Sequence, residues 1–271
     1  MRKKYLGLIC LVYAGIILFV NHYNILRNFL APNMQGYLKA SIIPLAIMGL
    51  VILFSDHFHY KFKIIDIFLL LPVVMLIAAG DGRLTTDFAS NRSMNINTKR
   101  TSEKVEKDDK KDETVEEKKE IDVDKVDLTE VDFDVKDESY LDLANFLTYN
   151  PKALNYEGKT IRVRGFTIDS TSYLPSGYFG LGKYGVSCCT ADAGFTGFVV
   201  SKSGHSIKAN TWYEIEGVFE KIQDLAGYDI LSINLINIKE IDGSKEEQYV
   251  YPCYSYDDGA CTEMKKYNLQ Y

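Results

Sequence analysis

The sequence predicts a membrane-anchored α + β protein, with three N-terminal transmembrane helices, a charged tether and a C-terminal small β-barrel domain. Three observations predict this organisation. The first 80 residues are strongly apolar, residues from about 99 to 138 are dominated by charge, and the remainder has the mixed composition of a globular domain. The formal net charge of -6 comes largely from the middle block. The sequence has no basic stripe of the kind that binds nucleic acid, so we expect no nucleic-acid partner.

Three apolar runs predict the transmembrane region, residues 1–84, with helices at about residues 5–22, 37–54 and 64–80. Each run is close to the roughly 20 residues that span a bilayer. A signal peptide is a poorer interpretation of the first run, because no small-residue cleavage site follows it and two further apolar runs do. The lipid bilayer is therefore the first predicted partner.

Basic residues predict how these helices are oriented. They precede the first helix and lie between the second and third, whereas the loop of residues 21–36 has only Arg27. Basic loops stay in the cytoplasm, so three spans place everything after residue 80 outside the cell. We therefore expect a multi-pass protein of the cell membrane with an extracellular C-terminal domain. The basic residues are Arg2, Lys3, Lys4, Lys61 and Lys63.

Residues 85–137 predict a flexible, charged tether. Acidic and basic side chains dominate most of this stretch and aromatic residues are almost lacking, which is the composition of a solvated chain. Its later part, residues 121–135, alternates apolar with charged residues. That alternation also fits an edge strand docked on the following domain.

Residues 138–245 predict the β domain, and residues 246–271 a C-terminal tail. The domain begins with a short amphipathic helix, because Ser139 fits an N-terminal cap, apolar residues recur at helical spacing, and Pro151 follows the end. Alternation of period two then predicts five strands. They lie at residues 159–166, 178–186, 196–201, 212–222 and 229–241.

Two of these strands share one template. Ile161-Arg-Val-Arg-Gly-Phe166 and Tyr213-Glu-Ile-Glu-Gly-Val218 both read apolar, charged, apolar, charged, glycine, apolar. A glycine in mid-strand lets the strand bend sharply around a closed barrel. Five such strands predict an oligonucleotide/oligosaccharide-binding (OB)-like barrel, with a β-sandwich as the alternative. In this barrel the first and fourth strands are antiparallel neighbours, so the two arginines should face the two glutamates.

Cys188 and Cys189 stand between two β-rich runs. Successive side chains of an extended strand point to opposite faces, so the thiols converge only if the backbone turns there. The small residues from Thr190 to Gly194 favour such a turn. Three interpretations stay open: ligands for zinc or another thiophilic metal, a redox pair, or small residues buried in a tight turn. Asp192 and His205 are candidates to complete a metal site.

The other three cysteines suggest structural roles. Cys10 lies in an apolar segment, where a free cysteine is most simply inert packing. For Cys253 and Cys261 the sequence favours a local disulfide, because the Asp-Asp-Gly between them favours a turn that brings their Cα atoms close. No nucleophile elbow, phosphate loop or His-Glu-x-x-His motif is present. We therefore do not expect an enzyme.

The segment Ser187-Cys-Cys-Thr-Ala-Asp-Ala193, in a β domain behind hydrophobic N-terminal segments, resembles the YcgQ-like family of bacterial membrane proteins. The resemblance covers residues 140–241 well and the membrane segments loosely. Members of this family are described as permease subunits. The resemblance implies an accessory subunit whose partner is a multi-spanning permease subunit, and whose Cys-Cys turn contacts a metal or the transported species.

A membrane-anchored cell-surface binding module is the alternative from a different class. Its barrel would recognise a glycan or a peptide, and its helices would serve only as an anchor. The exposure of the barrel aromatics distinguishes the two hypotheses. An open groove lined by Tyr173, Tyr178, Phe179 and Tyr184 would favour glycan binding, and their burial would favour the subunit.

Overall fold

The computed structural model describes residues 5–55, 71, 74, 84–85, 128, 130–168, 174–225, 227–253 and 267. The chain divides into two compact units. One unit comprises residues 1–85 together with residues 185–193, and the other comprises residues 86–184 and 194–271. The segment that carries the adjacent cysteines therefore belongs to the same unit as the N-terminal helices.

The first unit is built on three helices, α1 (Tyr5–His22), α2 (Pro32–Ala40) and α3 (Ile42–Phe54). The chain between α1 and α2 contains a short 3-10 turn at Ile25–Asn28. Pro44 explains the break between α2 and α3, because its ring clashes with the carbonyl four residues earlier, at the end of α2. Apart from this break, α2 and α3 form one apolar helix.

Two helices within the described residues, Tyr5–His22 and Pro32–Phe54, are long and apolar enough to cross a membrane. The first has the predicted bounds. The second begins at Pro32 rather than at residue 37, because proline is well suited to the first position of a helix. The described residues therefore contain two of the candidate spans, whereas the sequence predicted three for the whole transmembrane region. The third predicted span, residues 64–80, lies outside the described residues except for residues 71 and 74.

Two glycines allow α1 and α3 to approach closely. A Cβ atom on Gly7 would lie 2.8 Å from the carbonyl oxygen of Gly49, and a Cβ atom on Gly49 would lie 2.9 Å from the side chain of Leu11. Small residues at a helix crossing are typical of helices that pack in an apolar medium. The outer faces of the same helices remain apolar and exposed, with Ile43 at 66% and Phe54 at 82%.

The second unit is a closed five-stranded barrel. The strand order is β2-β5-β6-β4-β3, and β3 pairs back to β2 and closes the barrel. Two short strands extend it, because β1 pairs with β2 and β7 pairs with β3. The five predicted strands are confirmed, and closure excludes the sandwich. The strands are β1 (Phe133–Asp134), β2 (Thr160–Ile168), β3 (Tyr178–Gly185), β4 (Gly194–Ser201), β5 (Trp212–Gln223), β6 (Asp229–Glu240) and β7 (Tyr249–Val250).

The two template glycines lie where the barrel bends. β2 pairs with β5 as far as Phe166 and with β3 from Phe166 onward, so Gly165 directly precedes the change of neighbour. Gly217 lies at a register shift between β5 and β6. A Cβ atom there would be 2.3 Å from the carbonyl oxygen of Asn234. The backbone approach requires glycine, as the sequence predicted.

The predicted pairing of charges across β2 and β5 is also confirmed. Arg162 lies directly opposite Glu216, and Arg164 lies opposite Glu214. Each pair forms an ion pair, with nitrogen–oxygen distances of 2.6 Å and 2.5 Å respectively. The alternation of the two strands therefore places their charged residues together on one face and their apolar residues in the core.

The helix α4 (Tyr140–Tyr149) precedes the barrel, and its apolar residues join the core cluster. Ser139 is at its N-cap, but its side chain makes no capping hydrogen bond, contrary to the predicted capping pattern. The hydroxyl of Ser139 instead donates to the carbonyl of Lys136 at 3.4 Å. Pro151 follows the helix as predicted and begins a 3-10 segment, Pro151–Tyr156.

Parts of the predicted tether and tail belong to the barrel. In β1, Phe133 pairs in parallel with Ile161, so an edge strand does form at the end of the charged stretch. The ring of Phe133 is buried and stacks on Tyr267, with centroids 4.7 Å apart. Strand β7 comes from the predicted tail. Residues 121–127 and 129 of the alternating segment lie outside the described residues. The predicted edge strand is therefore tested only near the end of that segment.

Candidate functional site

The adjacent cysteines lie in a turn, residues 185–193, which we call the thiol turn. A single 3-10 turn, Thr190–Asp192, follows the cysteines. The carboxylate of Asp192 folds back over them: Oδ1 accepts from the amide of Ser187 at 3.2 Å, and Oδ2 accepts from the amide of Cys188 at 2.8 Å. Aspartate commonly organises a turn by binding nearby amides in this way.

The thiol turn brings the two sulfurs together. Cys188 Sγ lies 3.7 Å from Cys189 Sγ, and neither residue is in a disulfide. Cys188 is exposed and Cys189 is partly buried. The expected condition for a joint role, that the backbone turns and the thiols converge, is therefore met. Because Cys188 is exposed, the pair does not fit the interpretation of small residues buried in a tight turn.

The surroundings of Cys188 favour its protonated form. Its hydrogen bond with Asp192, together with that to Cys189, raises the pKa of the Cys188 thiol to about 11. A thiol is an effective nucleophile only as the thiolate. Cys188 is thus mainly protonated at neutral pH, and either a redox reaction or metal binding has to displace this proton.

A loop of the helix unit forms backbone hydrogen bonds with the thiol turn. The amide of Ala31 donates to the carbonyl of Cys188 at 3.0 Å, and the amide of Thr190 donates to the carbonyl of Phe29 at 3.1 Å. Leu30 and Cys189 form an isolated antiparallel β-bridge between these two bonds. The sequence analysis missed this contact. Backbone pairing at a single bridge leaves no pattern of side chains by which it could be recognised.

Asp192 and His205, the other two candidate metal ligands, can each be placed, and their joint site with the cysteines stays a prediction. His205 follows the C-terminal end of β4, whereas the cysteines precede its N-terminal end, and its amide donates to the carbonyl of Lys202. Asp192 uses both oxygens for backbone amides. In the parts of the chain that the structure describes, no group of three or more His, Cys, Asp or Glu residues could hold a metal ion.

The remaining cysteines can be placed in part. Cys10 is buried in α1, as expected for a packing residue. Cys253 is disulfide-bonded, and its amide donates to Asp142 Oδ2 at 2.6 Å. Cys261, the predicted partner, lies outside the described residues. The pairing of Cys253 with Cys261 stays a prediction.

A buried lysine in the barrel was not anticipated. The side chain of Lys183 in β3 is 0% exposed, and its ammonium forms an ion pair with Asp137 at 2.6 Å. The same ammonium lies 5.5 Å from the ring centroids of Tyr140 and Trp212. Its position on β3, in alternation with Phe179 and Leu181, was the available signal.

Of the four aromatics named for a glycan-binding groove, the three that the structure describes do not line an open groove. Phe179 is 2% exposed and Tyr184 is 0% exposed, and Tyr178 is only partly exposed. Tyr173 lies outside the described residues. The rings of Tyr184 and Phe166 pack together, with centroids 5.1 Å apart. By the criterion set from the sequence, these side chains favour the subunit over the glycan-binding module.

The fold and the site together define a class: one unit is a closed five-stranded barrel, and the other consists of apolar N-terminal helices paired with the thiol turn. The chain belongs to the family of the DUF1980 C-terminal domain, whose family model matches residues 107–252, just over half of the chain. The match includes the whole barrel and the thiol turn, and it is consistent with the resemblance to the YcgQ-like family. Searches of curated proteins and of solved structures found no match.

Proposed function

We propose that this protein is an accessory subunit of a membrane permease. Its helices anchor it in the cell membrane, its OB-like barrel domain lies outside the cell, and its vicinal cysteines contact a metal or the transported species. The observation that carries the proposal is the backbone pairing between the thiol turn and the loop at Phe29–Ala31. This pairing links the two adjacent thiols, of which Cys188 is exposed and Cys189 is partly buried, to the apolar helices.

The exposed faces of the helices support membrane anchoring. Large apolar side chains point outward along both candidate spans, among them Leu8 at 58% and Ile47 at 57% exposure. Exposed apolar surface of this extent is costly in water but stable in lipid or against other helices. A soluble core helix would have buried these side chains.

The composition of the helices supports a subunit rather than a complete permease. Tyr5–His22 contains no Asp, Glu, Lys or Arg. The only such residue in Pro32–Phe54 is Lys39, in the N-terminal half of that span. A transport pathway through a membrane is usually lined by polar or ionisable residues. The two described spans provide almost none, so a multi-spanning partner would have to supply the pathway.

The thiol turn supports an extracellular location. It pairs with residues between the two candidate spans, at the end of α1 opposite to Arg2, Lys3 and Lys4. If these basic residues remain in the cytoplasm, as the positive-inside rule predicts, the loop and the turn paired with it lie outside.

Co-purification tests the partner. A tagged full-length protein, extracted from its native membranes with a mild detergent, should bring down one multi-spanning protein in a fixed molar ratio. An unrelated two-span protein with the same tag, purified in parallel, is the control. Recovery of the chain alone, or of the same proteins as in the control, would refute the subunit hypothesis.

Labelling of introduced cysteines tests the orientation. In a Cys188→Ser, Cys189→Ser background, His205→Cys should react with a membrane-impermeant thiol reagent in intact cells. Lys61→Cys, at the predicted cytoplasmic loop, should react only after the cells are opened. Labelling of Lys61→Cys from outside, or protection of His205→Cys, would contradict the proposed topology.

A further inference from the structure

The thiol turn has the geometry of half a tetrahedral metal site. Two thiolates bound to one zinc ion at about 2.3 Å, with a tetrahedral angle between them, are about 3.8 Å apart. The observed separation of Cys188 Sγ and Cys189 Sγ is 3.7 Å. A linear ion with the same bond length would need about 4.6 Å, and a disulfide would need the sulfurs to close to about 2 Å. The spacing thus fits a tetrahedral ion without rearrangement.

The backbone holds both cysteines in this geometry from two sides. The carboxylate of Asp192 binds the amide of Cys188 at 2.8 Å. On the other side, Ala31 donates to the carbonyl of Cys188, and Leu30 forms a β-bridge with Cys189. Preorganised donors bind an ion more tightly than free ones, because less conformational freedom is lost on binding. We therefore assign to Asp192 the role of positioning Cys188 through its amide.

We propose that Cys188 and Cys189 together bind one divalent thiophilic cation, zinc or a chemically similar ion, whose outward coordination positions stay open to other donors. Because Cys188 is exposed, water or donor groups of a partner can complete the tetrahedron from that side. Structural zinc sites are closed by four protein ligands, whereas sites that exchange a ligand keep a position open. The thiol turn therefore suits an ion that is passed on rather than stored.

Binding of the cation displaces the two thiol protons to solvent, and the resulting unit of one dication and two thiolates is neutral. No oxidant or reductant is involved. The inference deepens the proposed function and rests on it only for the role of the cation as cargo. It names divalent thiophilic ions as the species that the vicinal cysteines contact.

The test uses the tag-free, full-length protein in detergent, stripped of metal with a chelator and kept under inert gas without a reductant, so that the disulfide of Cys253 stays closed. Titration with zinc should give one ion per chain and release two protons per ion. Titration with cobalt should give a thiolate-to-cobalt charge-transfer band in the near ultraviolet. Binding of fewer than half an equivalent, or a cobalt spectrum without that band, would overturn the inference.

Matched variants assign the ligands. Cys188→Ser and Cys189→Ser should each weaken binding by at least about tenfold and remove most of the charge-transfer band, whereas Cys10→Ser should change neither. Asp192→Asn should weaken binding several-fold but leave the band per bound cobalt unchanged, because both sulfurs remain. Asp242→Asn is its control, since Asp242 also organises an exposed turn, by accepting from the amide of Ser244. Unchanged binding in both cysteine variants would refute the site.

The two proposals fail separately. Metal binding is measured on the purified chain with no partner present, so its loss would leave co-purification with a permease untouched. Conversely, a chain that binds one zinc ion through both sulfurs but never co-purifies with a multi-spanning protein would retain the metal site and lose the subunit role.

Discussion

The helix unit and the barrel use glycine in the same way but have opposite surfaces. Gly7 and Gly49 let two helices meet, and Gly165 and Gly217 let the strands bend around a closed barrel. In the barrel most of the large apolar side chains are buried, whereas in the helices many of them are exposed, as Phe54 is. Close backbone packing is thus common to both units. What differs is the medium that each outer surface requires.

The stability of the barrel can be measured separately from that of the helices, because the chain has a single tryptophan. Trp212 is the only tryptophan of the chain and lies at the start of β5. Its fluorescence therefore reports on the barrel and not on the helices. Unfolding of the barrel can therefore be followed by this fluorescence in full-length protein kept in detergent.

The largest effect should come from Gly217→Ala. The new Cβ would meet the carbonyl oxygen of Asn234 at 2.3 Å, and overpacking of this kind costs about 3 kcal/mol at the upper end of its usual range. Urea unfolding followed at Trp212 gives the change in the free energy of unfolding. Gly15→Ala in α1 is the control, since no atom lies within 4 Å of its new Cβ. Equal stability of the two variants would mean that the barrel tolerates the extra carbon.

The next effect should come from Asp137→Asn, which leaves the buried ammonium of Lys183 without its countercharge. Breaking a buried pair costs about 3 kcal/mol at the lower end, and because Asp137 is 40% exposed we expect about 2 kcal/mol. Adding Lys183→Met to Asp137→Asn should recover most of the loss, since an apolar chain of similar length then fills the site. A double variant no more stable than Asp137→Asn alone would contradict the ion-pair explanation.

A smaller effect should appear in the charge pairs across β2 and β5. Changing Glu214 and Glu216 to lysine should destabilise the barrel modestly, and changing Arg162 and Arg164 to glutamate as well should recover much of the loss. Opposite charges across strands contribute roughly 0.2 to 1 kcal/mol per pair. A double-mutant cycle on the unfolding free energies isolates the coupling. A coupling near zero would show that the pairing sets no part of the barrel's stability.

The smallest effect is a pH dependence at Glu216. The hydrogen bond from Asn237, aided by Arg162 against the effect of burial, holds the pKa of Glu216 below its ordinary value of 4.5. A lowered folded-state pKa stabilises the protein above about pH 4.5, and this contribution is lost as the pH falls through the lowered pKa. The stability difference between the wild type and Glu216→Gln should therefore shrink in acid. A difference that persists at the lowest pH would exclude this origin.

Much of the barrel could be predicted because its signals are local. Alternation along each strand defines which side chains face the core, and the shared template defined both the bending points and the facing charges, as Gly217 and the pair of Arg162 with Glu216 show. The core residue Phe133 was placed in the tether instead. The alternation around Phe133 did favour an edge strand, but it does not reveal the partners of the ring, one of which is Tyr267, more than a hundred residues later.

The candidate site divides in the same way. The sequence by itself determined that two thiols are adjacent and that small residues follow them, because composition and order suffice for a turn. Only the tertiary structure decided that Asp192 binds amides, that the sulfurs lie 3.7 Å apart, and that the loop at Phe29–Ala31 pairs with the turn. These contacts involve backbone groups, which every residue carries alike. The sequence therefore does not show which backbone groups form hydrogen bonds with each other, and only the tertiary structure decides it.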